Sequence, residues 1–417
     1  MSDKESEIDR RGFFKATTAA TAAGLTASLT ASASNAQSIG ESGDGTLLEN
    51  NGFLIVVLEG TSFDMGVQYG SMMAEHMQAA WDVLIAPGLA AGAITDAEVE
   101  RWSQRAYTTC TTRARDWYDG VSQGSGWPIN QVCFLDSFME FGIYQAKLHS
   151  FAGCTSIMSW GTDTADGNMY IGRNMDWTDI FNEFPQVLTV RKPSGNAYKT
   201  AVLGWPGIYT GFTIINDQGV YLDVHDGSSM GGSVVYEERA ATGTMIVDIL
   251  EDVASREALV SRINGISVTV SAILSVADGQ SASSVECSSL AGNRERVAEG
   301  DSYVVVNTFF EPSWGLGIRE TVSNSLKRFR NMTDRLADNA GSMNAAKTRE
   351  IMDLRLFNPD GSFAENGGAT KPANQDADLT NHQMVTDIAN QTVWLKVPVP
   401  EYFADWTEVD LRELWAS

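Results

Sequence analysis

The 417-residue chain predicts an α+β fold, and three observations carry that expectation. Apolar residues recur at helical spacing between about residues 60 and 150. From Gly153 onward the texture changes to short apolar strands punctuated by Gly and Asp. No internal repeat of solenoid or propeller period is present. Strands that follow one another through turns favour antiparallel pairing, and helices segregated from strands favour layers around one core. With 43% apolar and 20% charged residues the chain can build a sizeable core, as one large domain or as two or three smaller ones.

Each element has its own signal. Asp9-Arg10-Arg11-Gly12-Phe13-Phe14-Lys15, followed by an Ala/Thr/Ser run to Ala36, resembles a twin-arginine (Tat) export signal, with cleavage expected near Ala36. Thr and Ser dilute that run too much for a permanent membrane anchor. Residues 37–52, rich in Gly, Ser and Glu, read as a flexible linker. Phe53-Leu54-Ile55-Val56-Val57-Leu58 reads as a buried strand. Ser62 suits the N-cap of a helix over 63–89, and further helices are expected over 96–118 and 130–149, so 53–153 forms a helical N-terminal region. Strands are then expected over 155–160, 168–173, 186–191, 199–203, 212–215 and 220–224. Helical segments return at 236–263, strands at 268–277 and 303–306, and helices at 323–337 and 345–354. A polar loop over 361–377 precedes closing strands at 384–388 and 393–397.

Charge and composition exclude several functions. The chain has 53 acidic against 29 basic side chains, a formal net charge of −24. In the leader Asp3, Glu5, Glu7 and Asp9 balance Lys4, Arg10, Arg11 and Lys15, so the acidity belongs to 37–417. This balance argues against a nucleic-acid binder and against docking on anionic lipid, and it leaves a small molecule as the expected partner. Apart from that substrate, the Tat machinery is the one partner implied, with a periplasmic or extracellular destination. Cys110, Cys133, Cys154 and Cys287 form no CxxC pair, and His76, His149, His225 and His382 are too scattered for metal-ligand spacing. Metal catalysis is therefore not expected.

The chemistry concentrates around Cys154. It opens a strand after Gly153, and Asp166-Gly167 is a hairpin turn signal. Such a hairpin returns Arg173 and Asp176 toward the start of the Cys154 strand, bringing a thiol, a guanidinium and a carboxylate within reach. Arg173 would then lower the thiol pKa, and Asp176 would hold Arg173 or a nearby amine.

Gly153-Cys154-Thr155-Ser156-Ile157, with Gly172-Arg173-Asn174-Met175-Asp176-Trp177, resembles the nucleophile region of N-terminal nucleophile (Ntn) hydrolases. Within them it is similar to the acyl-coenzyme A:6-aminopenicillanic acid acyltransferase family, and more distantly to choloylglycine hydrolases and penicillin V acylases. Upstream, Gly60-Thr61-Ser62-Phe63-Asp64-Met65-Gly66-Val67-Gln68-Tyr69-Gly70 is similar to that family's entry motif. Downstream, Gly204-Trp205-Pro206-Gly207, Asn216-Asp217-Gln218-Gly219, Val306-Asn307-Thr308 and Ser325-Leu326-Lys327-Arg328 follow in the family's order. The family usually carries His or Pro after the second Asn, where this chain has Thr308.

The resemblance implies a four-layer αββα sandwich. It also implies that Cys154 is a nucleophile exposed as a new N-terminus by self-cleavage after Gly153, with its α-amine as general base. Arg173 and Asp176 match the pair that orients amine and thiol. Asn216 and Asn307 match the oxyanion and substrate-holding asparagines, where one such donor is worth about 3 kcal/mol in the transition state. Arg328 matches the last arginine, with Arg330 two residues further on.

Blander readings stand beside these. Asn216 before Asp-Gln-Gly also fits a turn asparagine, Cys110 and Cys133 fit core positions, and Arg328 and Arg330 fit solvated helix charges. Gly227-Ser228-Ser229-Met230-Gly231 matches G-x-S-x-G after a strand, which with His382 would suit a serine esterase of α/β-hydrolase type. That elbow needs a helix to begin at once, whereas Gly232-Ser233-Val234-Val235 reads extended. A non-catalytic exported binding protein is the third reading. The sequence favours an acylase or amidase acting on linear amides, with acyl transfer open to the same thioester. Penicillins, N-acyl amino acids, acyl-homoserine lactones, bile-salt conjugates and lipid amides remain open as substrates.

Overall fold

The computed structural model describes residues 36–145, 153–232, 234–315, 323–352, 378–397 and 406–417. The expected export signal, apart from Ala36, and the expected polar loop over 361–377 lie outside them.

Ten strands form the first sheet. β1 (Gln37–Ser42), β2 (Gly45–Asn50) and β3 (Phe53–Gly60) come from the N-terminal region. They are joined by β6 (Gln186–Pro193), β7 (Thr200–Gly204), β8 (Thr213–Asn216), β9 (Tyr221–Asp226), β10 (Ala272–Ala277), β11 (Ala282–Ser288) and β12 (Gly292–Val297). The spatial order is β1-β2-β3-β6-β7-β8-β9-β10-β11-β12, with β3 and β6 pairing in parallel. The second sheet comprises β4 (Gly153–Gly161), β5 (Gly167–Thr178), β13 (Ser302–Val305), β14 (Asp378–Asp387), β15 (Thr392–Lys396) and β16 (Thr407–Asp410). Its order is β13-β4-β5-β14-β15-β16, and every pair is antiparallel.

Side-chain alternation along these strands builds three cores. In β3, Leu54, Val56 and Leu58 face a helical layer while Phe53, Ile55 and Val57 face the second sheet. Burial on both faces explains why this segment is apolar without a break. The helical layer is α1 (Ser62–Leu84), α2 (Ala86–Ala90), α3 (Asp96–Thr109), α4 (Thr112–Ser125) and α5 (Ile129–Tyr144), joined by α7 (Thr242–Leu250) and α8 (Arg256–Asn264). A four-residue turn of helix, α6 (Ser228–Gly231), precedes these last two. Met158, Trp160, Met169, Ile171 and Met384 of the second sheet meet Leu188, Val190 and Leu203 of the first in the middle core. On the outer face of the second sheet, Ile157 and Val304 pack under α9 (Ser323–Asp338) and α10 (Ala345–Met352) through Met332, Leu336, Ile351 and Met352. A short α11 (Leu411–Ala416) ends the chain. The layers thus run helices, sheet, sheet, helices, the four-layer αββα order expected from the resemblance.

Several sequence expectations are corrected. Residues 37–52 are not a flexible linker but mostly a hairpin, β1–β2, that extends the first sheet from β3. Leu47 enters the helix-side core and Leu48 packs on the other face, an alternation hidden in a Gly- and Glu-rich segment. The single helix expected over 96–118 is two, α3 and α4, while the helical segments expected over 236–263 are α7 and α8. β11 and β12 were not expected, because ASSVECS lacks a long apolar run although all seven of its residues are buried. Among the described residues no helix is long and apolar enough to cross a membrane.

The N-terminal motif has a packing explanation. Thr61 and Asp64 form a capping box on α1. The Gln68 amide accepts from Glu59 N and donates to Glu59 O, at 3.0 and 2.8 Å, tying the helix to the end of β3. Gly66 and Gly70 on α1 cross Gly120 and Gly124 on α4 so closely that a Cβ on Gly66 would lie 2.5 Å from Trp117 O, and one on Gly120 2.2 Å from Phe63 O.

Candidate active site

Cys154 is the second residue of β4, where strand alternation decides which groups meet it. Ser156, Met158 and Trp160 share its face, toward the first sheet, while Thr155 and Ile157 face α9 and α10. β5 pairs with β4 so that Cys154 lies opposite Met175 and Gly153 opposite Asp176. Arg173 and Asp176 are three residues apart on one strand and therefore project to opposite faces. The expected Arg173–Asp176 contact does not form. Arg173 instead lies against the Cys154 sulfur, and the Asp176 carboxylate against Gly153.

On the inner face Arg173 is fully buried, and its Nη2 lies 3.3 Å from Cys154 Sγ and donates to the Val224 carbonyl at 2.6 Å. Nη1 donates to the Asn174 carbonyl at 3.1 Å. Burial pushes the Cys154 thiol up, and the Arg173 guanidinium beside it works in the opposite sense, with the net result still raised. In this uncut chain the thiol is thus held neutral, poised beside a cation that favours its ionised form.

On the nitrogen side, Cys154 N donates to Asn307 Oδ1 at 2.7 Å. Arg328 Nη2 donates to the same Oδ1 at 2.9 Å, and Arg328 Nη1 bonds both the Cys154 carbonyl and Thr155 Oγ1. The other end of the Asn307 amide donates to the Asp226 carbonyl at 3.0 Å, so in this state Asn307 aims its oxygen at the Cys154 nitrogen. Asp176 lies against the preceding peptide: a Cβ on Gly153 would sit 3.3 Å from Asp176 Oδ2. Thr380 of β14 donates to Asp176 Oδ1 at 2.7 Å and fixes that carboxylate.

Five of the six residues expected from the sequence, Cys154, Arg173, Asp176, Asn307 and Arg328, therefore converge. Asn216 does not join them. Its Nδ2 donates to the carbonyls of Leu250 and Val253 at 2.9 and 2.7 Å, and its Oδ1 accepts from Gln218 N and Val220 N. Both amide hydrogens are spent on carbonyls at and just after the end of α7, and the oxygen shapes the β8–β9 turn, the bland reading of that position. Arg330 is exposed on α9, so the choice between the two arginines falls to Arg328, which is 3% exposed. Ser229 is exposed on α6, while His382 is buried with its ring nitrogens facing Thr213 Oγ1 and Gln186 Oε1, so no serine triad forms. Cys110, Cys133 and Cys287 are buried free thiols, all pushed up by burial.

The sequence reading missed a buried polar layer on the inner face. Asp223 of β9 accepts from Ser156 Oγ at 2.6 Å and from Tyr221 OH at 2.9 Å. His225 Nε2 lies 2.7 Å from Asp223 Oδ1, in contact but out of line for a hydrogen bond, and also bonds Ser275 Oγ and Ser156 Oγ at 2.9 and 3.2 Å. Burial and then Arg173 push His225 down to about 4, which keeps the ring neutral. Ser, His and Asp are adjacent here, but serine and carboxylate share one ring nitrogen, so the ring cannot relay a proton between them. The available signal was Asp223 and His225 at i and i+2 in an otherwise apolar strand. A cleft of about 360 Å³ near Ser62, Arg113, Ser194 and Glu251 contains none of the converging residues.

No family model matches the chain, and no curated protein matches it. Among solved structures, it is similar to a mutant of conjugated bile acid hydrolase from Clostridium perfringens, at 11% identity and TM-score 0.43, over 63% of this chain and 94% of that one. It is also similar to a Caenorhabditis elegans N-acylethanolamine-hydrolyzing acid amidase ortholog, at 14% identity and TM-score 0.39, over 61% and 98%. Penicillin V acylase from Agrobacterium tumefaciens aligns at 15% identity and TM-score 0.39, over 63% and 88%. These values are too low to transfer an activity, and the chemistry has to come from the residues themselves.

Proposed function

We propose that the protein is an exported cysteine Ntn hydrolase that cuts itself between Gly153 and Cys154 and then hydrolyses linear amides through a thioester on Cys154. One observation carries the reading: the thiol and the nitrogen of Cys154 have separate, preassembled partners. Arg173 faces the sulfur, while Asn307, Arg328 and Asp176 surround the nitrogen and its peptide.

For self-cleavage, the Cys154 sulfur adds to the Gly153 carbonyl carbon, the C–N bond breaks, and the departing nitrogen takes the thiol proton. Water then hydrolyses the thioester and leaves a Gly153 carboxylate and a free Cys154 α-amine. An unperturbed α-amine titrates near 7.7–8.0, so a large fraction is neutral at mildly basic pH and can act as base. Asn307 Oδ1 accepts one of its hydrogens, and Asp176 lies beside it. In turnover the amine takes the thiol proton, the sulfur attacks the substrate carbonyl, and the proton passes to the leaving amine. Water attack on the thioester completes hydrolysis, and attack by a second amine gives acyl transfer. Nucleophile and base sit on one residue, so these steps need no metal or organic cofactor.

The test is a panel of N-acyl amides varied in acyl chain and amine, assayed with wild type, Cys154→Ser and Ser229→Ala. We expect Cys154→Ser to lose about 10³-fold or more in kcat/KM and Ser229→Ala to match wild type. The reverse pattern would replace this reading with the serine esterase, and no turnover by any protein would favour a binding protein.

A further inference from the structure

The buried layer beneath Cys154 contains a carboxylate that the reaction above leaves unused. Arg173 is a fully buried cation whose three hydrogen bonds go to one sulfur and two neutral carbonyls, and its Nε has no partner. Asp176 points to the other face. A buried charge needs a counter-charge, and Asp223 is a buried carboxylate on that face, bonded to the hydroxyl of Ser156, the residue directly opposite Arg173 in the β4–β5 pair. Burial pushes the Asp223 carboxyl up, but the Arg173 guanidinium and His225 more than reverse this and hold it well below the usual carboxylate range. The Val224 carbonyl that anchors Arg173 Nη2 is the next residue in the same strand. Asp223 is itself fixed by the hydroxyls of Ser156 and Tyr221.

We propose that Asp223 is a positioning residue of the nucleophile: it is the counter-ion that holds Arg173 in place and divides that cation between itself and the Cys154 sulfur. Every group facing the pair fits the assignment. β4 contributes Cys154 and Ser156, β5 Arg173, β9 Tyr221, Asp223 and His225, and β10 Ser275. His382 of β14 is a further buried ring, pushed down to about 3 by burial and by Arg173, and Arg328 of α9 also acts on His225. With both histidines neutral, Asp223 and the developing thiolate share Arg173. A stronger Asp223–Arg173 attraction leaves the thiol harder to ionise, and its removal leaves the thiol easier to ionise.

This inference rests on Cys154 as the nucleophile, but its test reads the thiol directly. The rate of Cys154 alkylation by iodoacetamide is followed against pH on the full protein, with the modified cysteine located by peptide mass. Asp223→Asn removes the charge and keeps the shape. Its profile is expected to move to lower pH by about one unit, with kcat reduced and KM within about threefold of wild type. The double variant Ser156→Ala/Tyr221→Phe keeps the charge but strips its hydroxyl donors, releasing the carboxylate toward Arg173, and its profile is expected to move to higher pH. Opposite shifts support the proposal, because a purely structural role would lower stability in both variants and move neither profile. Unchanged profiles, or shifts of one sign, overturn it. If Asp223→Asn does not fold, the double variant decides alone: no upward shift overturns the assignment. If Cys154→Ser retains full amide turnover, the function reading fails instead, whatever the alkylation profiles show.

Discussion

Two arginines on one helix and one asparagine in a turn separate site from scaffold at the scale of single residues. Arg328 holds Asn307 Oδ1 and the Cys154 carbonyl, whereas Arg330 is exposed. Arg328→Ala is expected to cost about 100-fold in kcat/KM, and Arg330→Ala less than about twofold, in steady-state kinetics on one substrate. Asn216→Ala should lower stability by about 2–3 kcal/mol in urea unfolding, through lost buried hydrogen bonds, while the folded protein keeps its kcat within a few-fold. A large kcat loss without destabilisation would return Asn216 to the site. Cys154, Arg173, Asp176, Asn307 and Arg328 were legible in the sequence because motif order placed them. Their division of labour was not, because it follows from strand parity: a separation of three sends Arg173 to the sulfur and Asp176 to the peptide on the opposite face. Asp223 was hidden because a carboxylate inside a strand declares its partner only once two sheets are stacked.

Among the elements, the crossing of α1 and α4 makes the clearest demand on sequence. Four glycines at i and i+4 spacing let the two backbones touch, and Gly124 has Val67 O only 2.1 Å from where its Cβ would be. Gly120→Ala should therefore destabilise the fold by about 1–3 kcal/mol, against the usual gain in helix propensity from Gly to Ala, and an unchanged urea midpoint would contradict this packing. The starts expected for α1 and α3, at 63 and 96, lie within a residue of the true ones, although the cap of α1 is Thr61 and not the expected Ser62. β3 was readable because burial on both faces keeps it apolar. The β1–β2 hairpin and the β11–β12 pair were not, since their Ser, Gly and Glu residues gain strand structure from neighbours that no local pattern reveals.

For the whole molecule, the stacked sheets bury two neutral histidines between them, and this sets a pH limit on the fold. Burial, followed by Arg173, lowers His225 to about 4 and His382 to about 3. In the unfolded chain both titrate near about 6.5. Below that pH the unfolded state binds more protons than the folded one, so stability is complete above about 6.5 and falls as pH drops toward 4. Thermal unfolding followed from pH 8 to pH 4.5 should show Tm level at first and then declining from about pH 6.5, and a Tm that rises on acidification would contradict the neutral buried rings. Residues of β5, α9 and the segment after β13 also gather at one peptide bond, where β4 begins at Gly153. Intact mass of the purified protein tests that convergence most directly. Wild type is expected to yield one chain ending at Gly153 and one beginning at Cys154, with Cys154→Ala uncut, whereas a single uncut wild-type chain with full amidase activity would contradict Cys154 as an N-terminal nucleophile.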